Sequence, residues 1–319
     1  MRWTQLTRPD TIAGQRTFRI GTRGSSLALR QTEIVLDRLR ARCPDLKAEI
    51  VPIQTTGDRQ SERSLQEIGG RGVFVKELER ALTAGEIDIA AHSLKDLPSE
   101  MAEGLQITGV GSREMANDVL VSHSGASLRD LPPGAMIGTG SPRRAAQLLA
   151  CRSDLRIVDI RGNVDTRLRK VQAGEVDAIV LAAAGLLRLG RFAEATEVLP
   201  FEVMLPAVGQ GILALETRTA DPEAGLLAAS VEDRDTRFAV EAERSFQRRL
   251  GGGCQAAIAA LATVSGSNLH LRGLVADAAG HSLFRDEIAG PATEAGLLGR
   301  RLAERLLEQG ASSVLEASP

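Results

Sequence analysis

Arginine occupies several of the turns in which this sequence is expected to bind a ligand. The turns that follow the predicted strands contain Arg23, Arg143, Arg144, Arg161, Arg167 and Arg188. In open α/β sheets, ligands collect beyond the carboxyl ends of the strands. Because guanidinium groups match carboxylates and phosphates in geometry and charge, this recurrence predicts a site for a ligand that has several anionic groups.

Arg143 and Arg144 are the most informative of these residues. Ser141 is a good helix N-cap and Pro142 suits the first helical position, so both arginines are predicted at the positive end of a helix. Two cations are unfavourable there unless an anion is bound by them and by the free backbone N–H groups. The alternative is a pair of solvated arginines whose stems pack on the surface.

Asp96 and its neighbour Lys95 follow another predicted strand. A carboxylate among arginines either neutralises one of them or acts on a cationic group of the ligand. Lys95 is either an exposed residue that aids solubility or a contact to an acidic ligand. The spacing of the two residues leaves both alternatives open.

Cys254 directly follows three glycines at 251–253, which would let the backbone approach a ligand and expose a thiol. The alternative for a lone cysteine is a small buried hydrophobe, and we assign that role to Cys43 and Cys151. The four histidines show no metal-ligand spacing, so no metal site is expected. The glycine-flanked segment 56–73 is either a lid over the site or a mobile surface loop.

Short β-branched runs, turns and helical periods alternate from Phe18 onward. This alternation predicts an α/β fold with a mostly parallel sheet. The first strand is expected at 18–22, and a helix capped by Ser25 or Ser26 should follow it. A second helix is expected at 75–84, where it ends at a glycine.

The sequences GEID at 85–88 and GEVD at 174–177 resemble each other. In both, a predicted helix ends at the glycine and a predicted strand follows. The repeat is either chance, since Gly-Glu turns are common, or a sign of two domains of like construction with a ligand cleft between them. From Thr236 the pattern changes to one helix, a glycine turn and three strand-like runs. It indicates a small α+β domain that ends with an amphipathic helix at 292–308.

The chain has 319 residues and a formal net charge of -2, which gives no overall attraction to nucleic acid or to an acidic membrane. Its three cysteines are far apart, and this favours a reducing compartment. The first seventeen residues contain no apolar run typical of a signal peptide, and no later stretch is long and apolar enough to span a bilayer. We therefore expect a cytoplasmic protein, with a short organelle transit peptide as the alternative.

Seven short motifs, together with Ser25, resemble the porphobilinogen deaminase family. They are RIGTR at 19–23, FVKE at 74–77, HSLKD at 92–96, GTGSPRR at 138–144, RGNV at 161–164, LPAVGQG at 205–211 and GGCQ at 252–255. One such motif is weak evidence for a family. Seven motifs in the order and spacing of the family are specific evidence. The resemblance runs from about residue 18 to residue 310.

The resemblance implies two periplasmic-binding-protein-like α/β domains with mixed, mostly parallel sheets, plus a small C-terminal α+β domain. The first domain would comprise 15–111 and 212–231 and contain the catalytic carboxylate and the lid. The second, at 112–211, would be the arginine-rich anion-binding domain, and the third, at 234–313, would carry the cofactor cysteine. The family also suggests a monomer.

The family resemblance further implies an enzyme that joins four porphobilinogen molecules head to tail, releases ammonia and hydrolyses the product to hydroxymethylbilane in tetrapyrrole biosynthesis. Cys254 would carry a dipyrromethane cofactor through a thioether. Asp96 would be the catalytic carboxylate, while Arg23, Arg161 and Arg167 would hold the carboxylates of the substrate and the growing chain. The residues that would bind the cofactor are Ser25, Lys95, Thr139, Ser141, Arg143, Arg144, Arg188 and Gln210.

The sequence departs from the family pattern at few positions. Gly140 and Pro142 occupy variable positions, Arg71 replaces a lysine that many members have in the lid, and tyrosine is absent. The arginine at position 71 affects only the role that the resemblance implies for the lid, and not the other site residues.

Two rival functions come from other classes. A non-enzymatic anion-binding receptor could use the same fold and basic cleft, although the sequence shows no export signal. A phosphate-handling transferase would need a Walker or Rossmann glycine motif, which the sequence lacks. The mass of the purified protein separates the family function from the receptor, because only the enzyme would carry a dipyrromethane.

Overall fold

The structure is a computed structural model that describes three stretches of the chain, residues 16–54, 75–251 and 257–316. Two compact units make up the chain, one formed by Met1–Ser112 with Ile212–Arg234 and the other by Arg113–Gly211 with Asp235–Pro319. Within the described stretches, every helix is too short or too polar to cross a membrane.

The described residues form the following strands and helices. The strands are β1 (Phe18–Arg23), β2 (Ala48–Ile53), β3 (Ile89–Ser93), β4 (Leu105–Val110), β5 (Asp118–Ser122), β6 (Met136–Gly138), β7 (Arg156–Val158), β8 (Ala178–Ala182), β9 (Glu197–Val198), β10 (Leu213–Arg218), β11 (Ala257–Ser265), β12 (Asn268–Ala276) and β13 (Leu283–Pro291). The helices are α1 (Ser26–Arg42), α2 (Lys76–Thr83), α3 (Pro142–Cys151), α4 (Val164–Gln172), α5 (Ala183–Arg188), α6 (Pro222–Ala229), α7 (Arg234–Leu250), α8 (Ala295–Leu306) and α9 (Ser312–Glu316).

The two units contain five-stranded sheets of the same design. The sheet of the first unit has the strand order β2-β1-β3-β10-β4, and the sheet of the second has β7-β6-β8-β5-β9. In each sheet the first three strands pair in parallel, and the fourth pairs antiparallel with both of its neighbours. All strands but the fourth therefore point the same way. This confirms the predicted α/β class with mixed, mostly parallel sheets.

The repeated GEID and GEVD segments occupy equivalent positions in the two sheets. The glycines that follow α2 and α4 have φ angles of 69° and 71°, in the left-handed region that favours glycine. Asp88 then donates its N–H to the carbonyl of Arg19 and accepts the N–H of Arg19 on its carboxylate, both at 2.9 Å. Asp177 makes the same two contacts with Met136, at 3.0 and 2.7 Å. Because these aspartates close each turn, β3 and β8 begin just after them, at Ile89 and Ala178.

Helices cover both faces of the first sheet. Helix α1 packs Val35 and Leu39 against Phe18 on one face, and α2 packs Leu78 and Leu82 on the other. A sheet with parallel strands is buried on both faces in this way, so only its strand ends and loops are left to bind a ligand.

The C-terminal part of the second unit is an antiparallel sheet of β11, β12 and β13. Helices α7 and α8 cover it with Phe246 and Leu302, which join Leu271 of β12 in one core. This confirms the predicted small α+β domain. Its last long helix is shorter than predicted, because a 3-10 turn occupies Ala292–Glu294 and a π-helical segment begins at Leu307.

Candidate functional site

The carboxyl edge of the first sheet holds four of the predicted site residues. Strand β1 ends at Arg23, and Ser25 then caps α1 by accepting a backbone N–H at 3.3 Å. Strand β3 leads directly into the 3-10 turn that contains Lys95 and Asp96. Because β1 and β3 are parallel, their ends lie at the same edge of the sheet. The first unit thus brings Arg23, Ser25, Lys95 and Asp96 to one edge.

Asp96 has an exposed carboxylate that makes no hydrogen bond or ion pair within the described part of the chain. Its turn is nevertheless held in place, because Leu94 is buried and donates its N–H to the carbonyl of Ile212 at 3.0 Å. Gln31 of α1 also donates to Ser93 Oγ at 3.0 Å. A fixed turn therefore carries a carboxylate that no described arginine neutralises.

Asp118, at the start of β5, is the anion that the arginine pair binds. Ser141 caps α3 and Pro142 is its first residue, as predicted. Arg143 Nη1 lies 2.8 Å from Asp118 Oδ2, and Arg144 Nη2 lies 2.6 Å from Oδ1. The side chains of Arg143, Arg144 and Asp118 are only 5%, 8% and 0% exposed. The alternative of two solvated arginines is therefore wrong.

The cluster of Asp118, Arg143 and Arg144, here called the Asp118 cluster, has an excess positive charge. Burial alone would raise the pKa of Asp118, but the charges and hydrogen bonds of the two arginines outweigh it and hold the pKa below its ordinary value. Gln210 donates to Asp118 Oδ1 at 3.0 Å without adding charge. Within this cluster two guanidinium groups thus share the carboxylate of Asp118.

Arg167 adds a cation beside the Asp118 cluster. Burial and, after it, the charges of Arg144 and Arg161 lower the pKa of Arg167 to about 10. Its Nε donates to the carbonyl of Gly162 at 2.9 Å, and no carboxylate of the described residues forms an ion pair with it. Arg161 forms an ion pair with Asp159, at 2.9 Å. Arg144, Arg161 and Arg167 therefore form a group of neighbouring cations with few carboxylates among them.

Thr139 and Ser141 add hydrogen-bond donors to this group. Thr139 Oγ1 accepts the N–H of Ser141 at 3.2 Å, and Ser141 Oγ accepts the N–H of Arg144 at 3.5 Å. A hydroxyl that accepts in this way keeps its own O–H as a donor. A Cβ at Gly140, between them, would lie 2.7 Å from Asp159 Oδ1, the end of an exposed side chain that can move aside.

Arg188 is buried away from solvent and contacts Glu114 and Gly211 in the second unit. Its Nε donates to Glu114 Oε2 at 2.8 Å, and its Nη2 donates to the carbonyl of Gly211, also at 2.8 Å. Glu114 in turn donates its N–H to the carbonyl of Gly211 at 3.1 Å. Arg188 thus ties together the first and last segments of the arginine-rich part of the chain, and its contact with the cofactor stays a prediction.

Several predicted residues lie outside the described stretches, namely Cys254, Arg71 and the candidate lid at 56–73. Of the other cysteines, Cys43 is buried as assigned. Cys151 is exposed, so its assignment as a buried hydrophobe is wrong. It is the last residue of α3, where the helix leaves the core.

Sequence reasoning missed the two carboxylates that bind Arg143, Arg144 and Arg188. Asp118 carried a usable signal, since it opens the apolar run DVLVS. A carboxylate at the head of a buried strand requires a cation or several hydrogen bonds. Glu114 has no comparable signal, because it lies in an irregular segment with other charged residues nearby.

Comparisons with known proteins agree with the motifs. Residues 18–225 match the family model described as porphobilinogen deaminase, dipyromethane cofactor binding domain, and residues 237–308 match the C-terminal domain model of the same family. A porphobilinogen deaminase of Pelotomaculum thermopropionicum is 50% identical over 302 residues, which is 95% of this chain and 97% of the relative. One of Syntrophus aciditrophicus is 50% identical over 94% of this chain and 98% of the relative. The chain belongs to the porphobilinogen deaminase family.

Proposed function

We propose that this chain joins four porphobilinogen molecules head to tail with loss of ammonia, and then hydrolyses the tetrapyrrole to hydroxymethylbilane. Membership of the family supports the reaction. Within the structure, the observation that carries the proposal is Arg167, a half-buried cation with two further arginines nearby and no carboxylate at ion-pair distance in the described stretches. Such a site favours a ligand with several carboxylates.

The charge of the substrate explains why so many arginines are needed. Each pyrrole unit bears an acetate and a propionate, so every addition brings two more negative charges into the site. Arg161 and Arg167 would hold these carboxylates and keep the reacting pyrroles in attack geometry. Arg23 would do the same at the edge of the first sheet. Fixed cations also lower the repulsion between the carboxylates of the growing chain.

The residues of the second unit fit a covalent dipyrromethane. The excess positive charge of the Asp118 cluster and the O–H donors of Thr139 and Ser141 suit a group with several carboxylates. Ser25, Lys95, Arg188 and Gln210 would complete the cofactor-binding set. When bound, the cofactor would supply the free α-carbon to which the first substrate is joined, with Cys254 as its point of attachment through a thioether.

Asp96 would stabilise the positive charge that develops on the incoming pyrrole when ammonia departs. Its carboxylate suits this role because it is exposed and lacks an ion-pair partner among the described residues. It would accept hydrogen bonds from pyrrole N–H groups and handle the proton that is lost after bond formation. We further propose that the protein acts as a cytoplasmic monomer.

The mass of the intact protein tests the proposed cofactor. When the chain is produced in a host that makes porphobilinogen, we expect its mass to exceed the sequence mass by one dipyrromethane. Cys254→Ser should remove this increment and the activity. Cys151→Ser is the matched control, since Cys151 is an exposed thiol outside the proposed site, and it should retain both. An unmodified parent chain would favour the anion-binding receptor instead.

Arg167→Leu tests the positioning role of the arginines. We expect turnover to fall at least about ten-fold, because the carboxylates of the chain lose a fixed cation while the cofactor stays attached. Mass spectrometry should then show enzyme carrying partly grown pyrrole chains. Arg169→Leu is the control, since Arg169 lies on the exposed face of the same helix. Normal turnover of Arg167→Leu, without trapped chains, would remove Arg167 from the site.

A further inference from the structure

Gly280, in the turn between β12 and β13, lies directly against the backbone of α3. A Cβ at this position would be 2.3 Å from the carbonyl oxygen of Ala146 and 2.9 Å from the nitrogen of Ala150. These two atoms belong to one turn of α3, four residues apart as in any helical hydrogen bond. A side chain at 280 therefore requires either α3 or the turn to move by about 1 Å, the shortfall from ordinary van der Waals contact.

The turn itself is held rigidly. The carboxylate of Asp277 accepts the N–H groups of Ala279 at 2.8 Å, His281 at 3.2 Å and Ser282 at 2.5 Å. The carbonyl of Asp277 also accepts the N–H of Gly280 at 3.1 Å. Because four hydrogen bonds fix the shape of the turn, it meets α3 as one preformed unit.

Helix α3 carries Arg143 and Arg144 in its first turn, one helical turn before the contact with Gly280. The helix is also fastened to Leu205. Gln147 accepts the N–H of Leu205 at 2.7 Å and donates to its carbonyl at 3.0 Å, and Arg143 Nη1 donates to the same carbonyl at 2.7 Å. A shift of α3 would therefore change the position of the arginine pair.

The strand that follows the cofactor cysteine packs on the same helix. Ala257 opens β11, three residues after Cys254 in the sequence. Its side chain is buried in one cluster with Ala146 of α3 and with Leu274 and Ala276 of β12. One compact body thus contains α3, the start of β11 and the β12–β13 turn.

We propose that the β12–β13 turn at 277–282 is a positioning element that sets Arg143 and Arg144 relative to the start of β11. Gly280 is the residue that permits its contact with α3. The turn thereby fixes the arginine pair relative to the anchor of the cofactor. This inference rests on the proposed function, because it takes Cys254 as the point of attachment.

Gly280→Ala, compared with Gly266→Ala, tests the proposal. Gly266 lies in the turn between β11 and β12, and both glycines have left-handed φ angles, of 72° and 61°. Backbone strain from alanine is therefore similar in the two variants. A Cβ at 266 meets nothing within 4 Å, so only the variant at 280 disturbs α3. Turnover is measured per chain that carries the cofactor mass, which removes differences in the amount of folded protein.

We expect Gly280→Ala to lose at least five-fold in turnover per modified chain relative to Gly266→Ala, since displacements of about 1 Å in a site cost up to about a hundred-fold. A smaller difference would overturn the proposal. If Gly280→Ala does not fold, Asp277→Asn tests the proposal in its place. This variant keeps the size of the side chain but weakens the hydrogen bonds of the turn. It should lose at least two-fold in turnover per modified chain, and parent-like turnover would overturn the inference.

The two proposals fail in different ways. Equal turnover in modified Gly280→Ala and Gly266→Ala would overturn the role of the turn and leave the proposed function intact. A parent chain without the dipyrromethane mass would overturn the proposed function and, with it, this inference.

Discussion

Asp96→Asn is expected to fold like the parent chain and to lose at least about a hundred-fold in turnover, because removing one preformed electrostatic contact to a developing charge costs about that much. Asparagine keeps the shape of the side chain but removes its negative charge. The fold should be unaffected, since the carboxylate is exposed and takes part in no ion pair within the described stretches. Turnover per modified chain and the thermal midpoint are the two measurements.

Glu100→Gln is the matched control for Asp96→Asn. Glu100 is an exposed carboxylate four residues further along the chain, with no hydrogen bond or ion pair among the described residues. We expect turnover within about two-fold of the parent, as for most surface substitutions away from a site. Turnover of Asp96→Asn as high as that of Glu100→Gln would show that Asp96 does not stabilise the reacting cation.

Asp118→Asn is expected to destabilise the protein by about 3–5 kcal/mol, the usual effect of removing one partner from a buried ion pair. The change removes the carboxylate that the buried Arg143 and Arg144 both contact, while Arg167 lies close to Arg144. Turnover should fall as well, because the arginine pair loses its fixed position. Urea denaturation at pH 7 measures the loss of stability.

Asp154→Asn controls for the loss of an aspartate that pairs with arginine. Asp154 binds Arg152 in the same unit, but its side chain is exposed, and such surface pairs contribute little. A parent-like denaturation midpoint is therefore expected. If Asp118→Asn proved as stable as Asp154→Asn, the Asp118 cluster would not contribute to stability.

The contribution of Asp118 should also depend on pH. Its pKa in the folded chain lies below the ordinary value of about 3.9 that applies when the chain is unfolded. The stabilisation is therefore fully present above about pH 4 and is lost as the pH falls toward the folded pKa. The difference in stability between the parent and Asp118→Asn should be largest near neutral pH and shrink in acid.

Local features of the fold were predictable because their causes are local. The caps at Ser25 and Ser141 depend on a hydroxyl and on the backbone three residues ahead. The helix stops at Gly85 and Gly174 depend only on the freedom of glycine to adopt positive φ. The alternation of strands and helices also follows from local sequence patterns, and it predicted the α/β class.

The partners of the site residues were less predictable, because sheet order determines them. Arg144 and Asp118 are 26 residues apart in the chain and meet because β5 lies beside β8, the strand next to β6. His92 and Glu216 form another buried pair, at 2.9 Å, across a separation of 124 residues. Hydrophobic periodicity does not reveal which strands become neighbours, so neither pair was foreseen.

The sequence by itself predicted which residues would carry the chemistry. Seven motifs identified the family, and their arginines and Asp96 lie at predicted strand ends because the sequence places each beside a short apolar run. Only the tertiary structure decided how these charges are balanced. It gave Arg143 and Arg144 a buried partner and left Arg167 without one among the described residues, because strands distant in the chain were brought together in one sheet. Charge balance in a buried site depends on such neighbours in space, and the order of residues does not specify them.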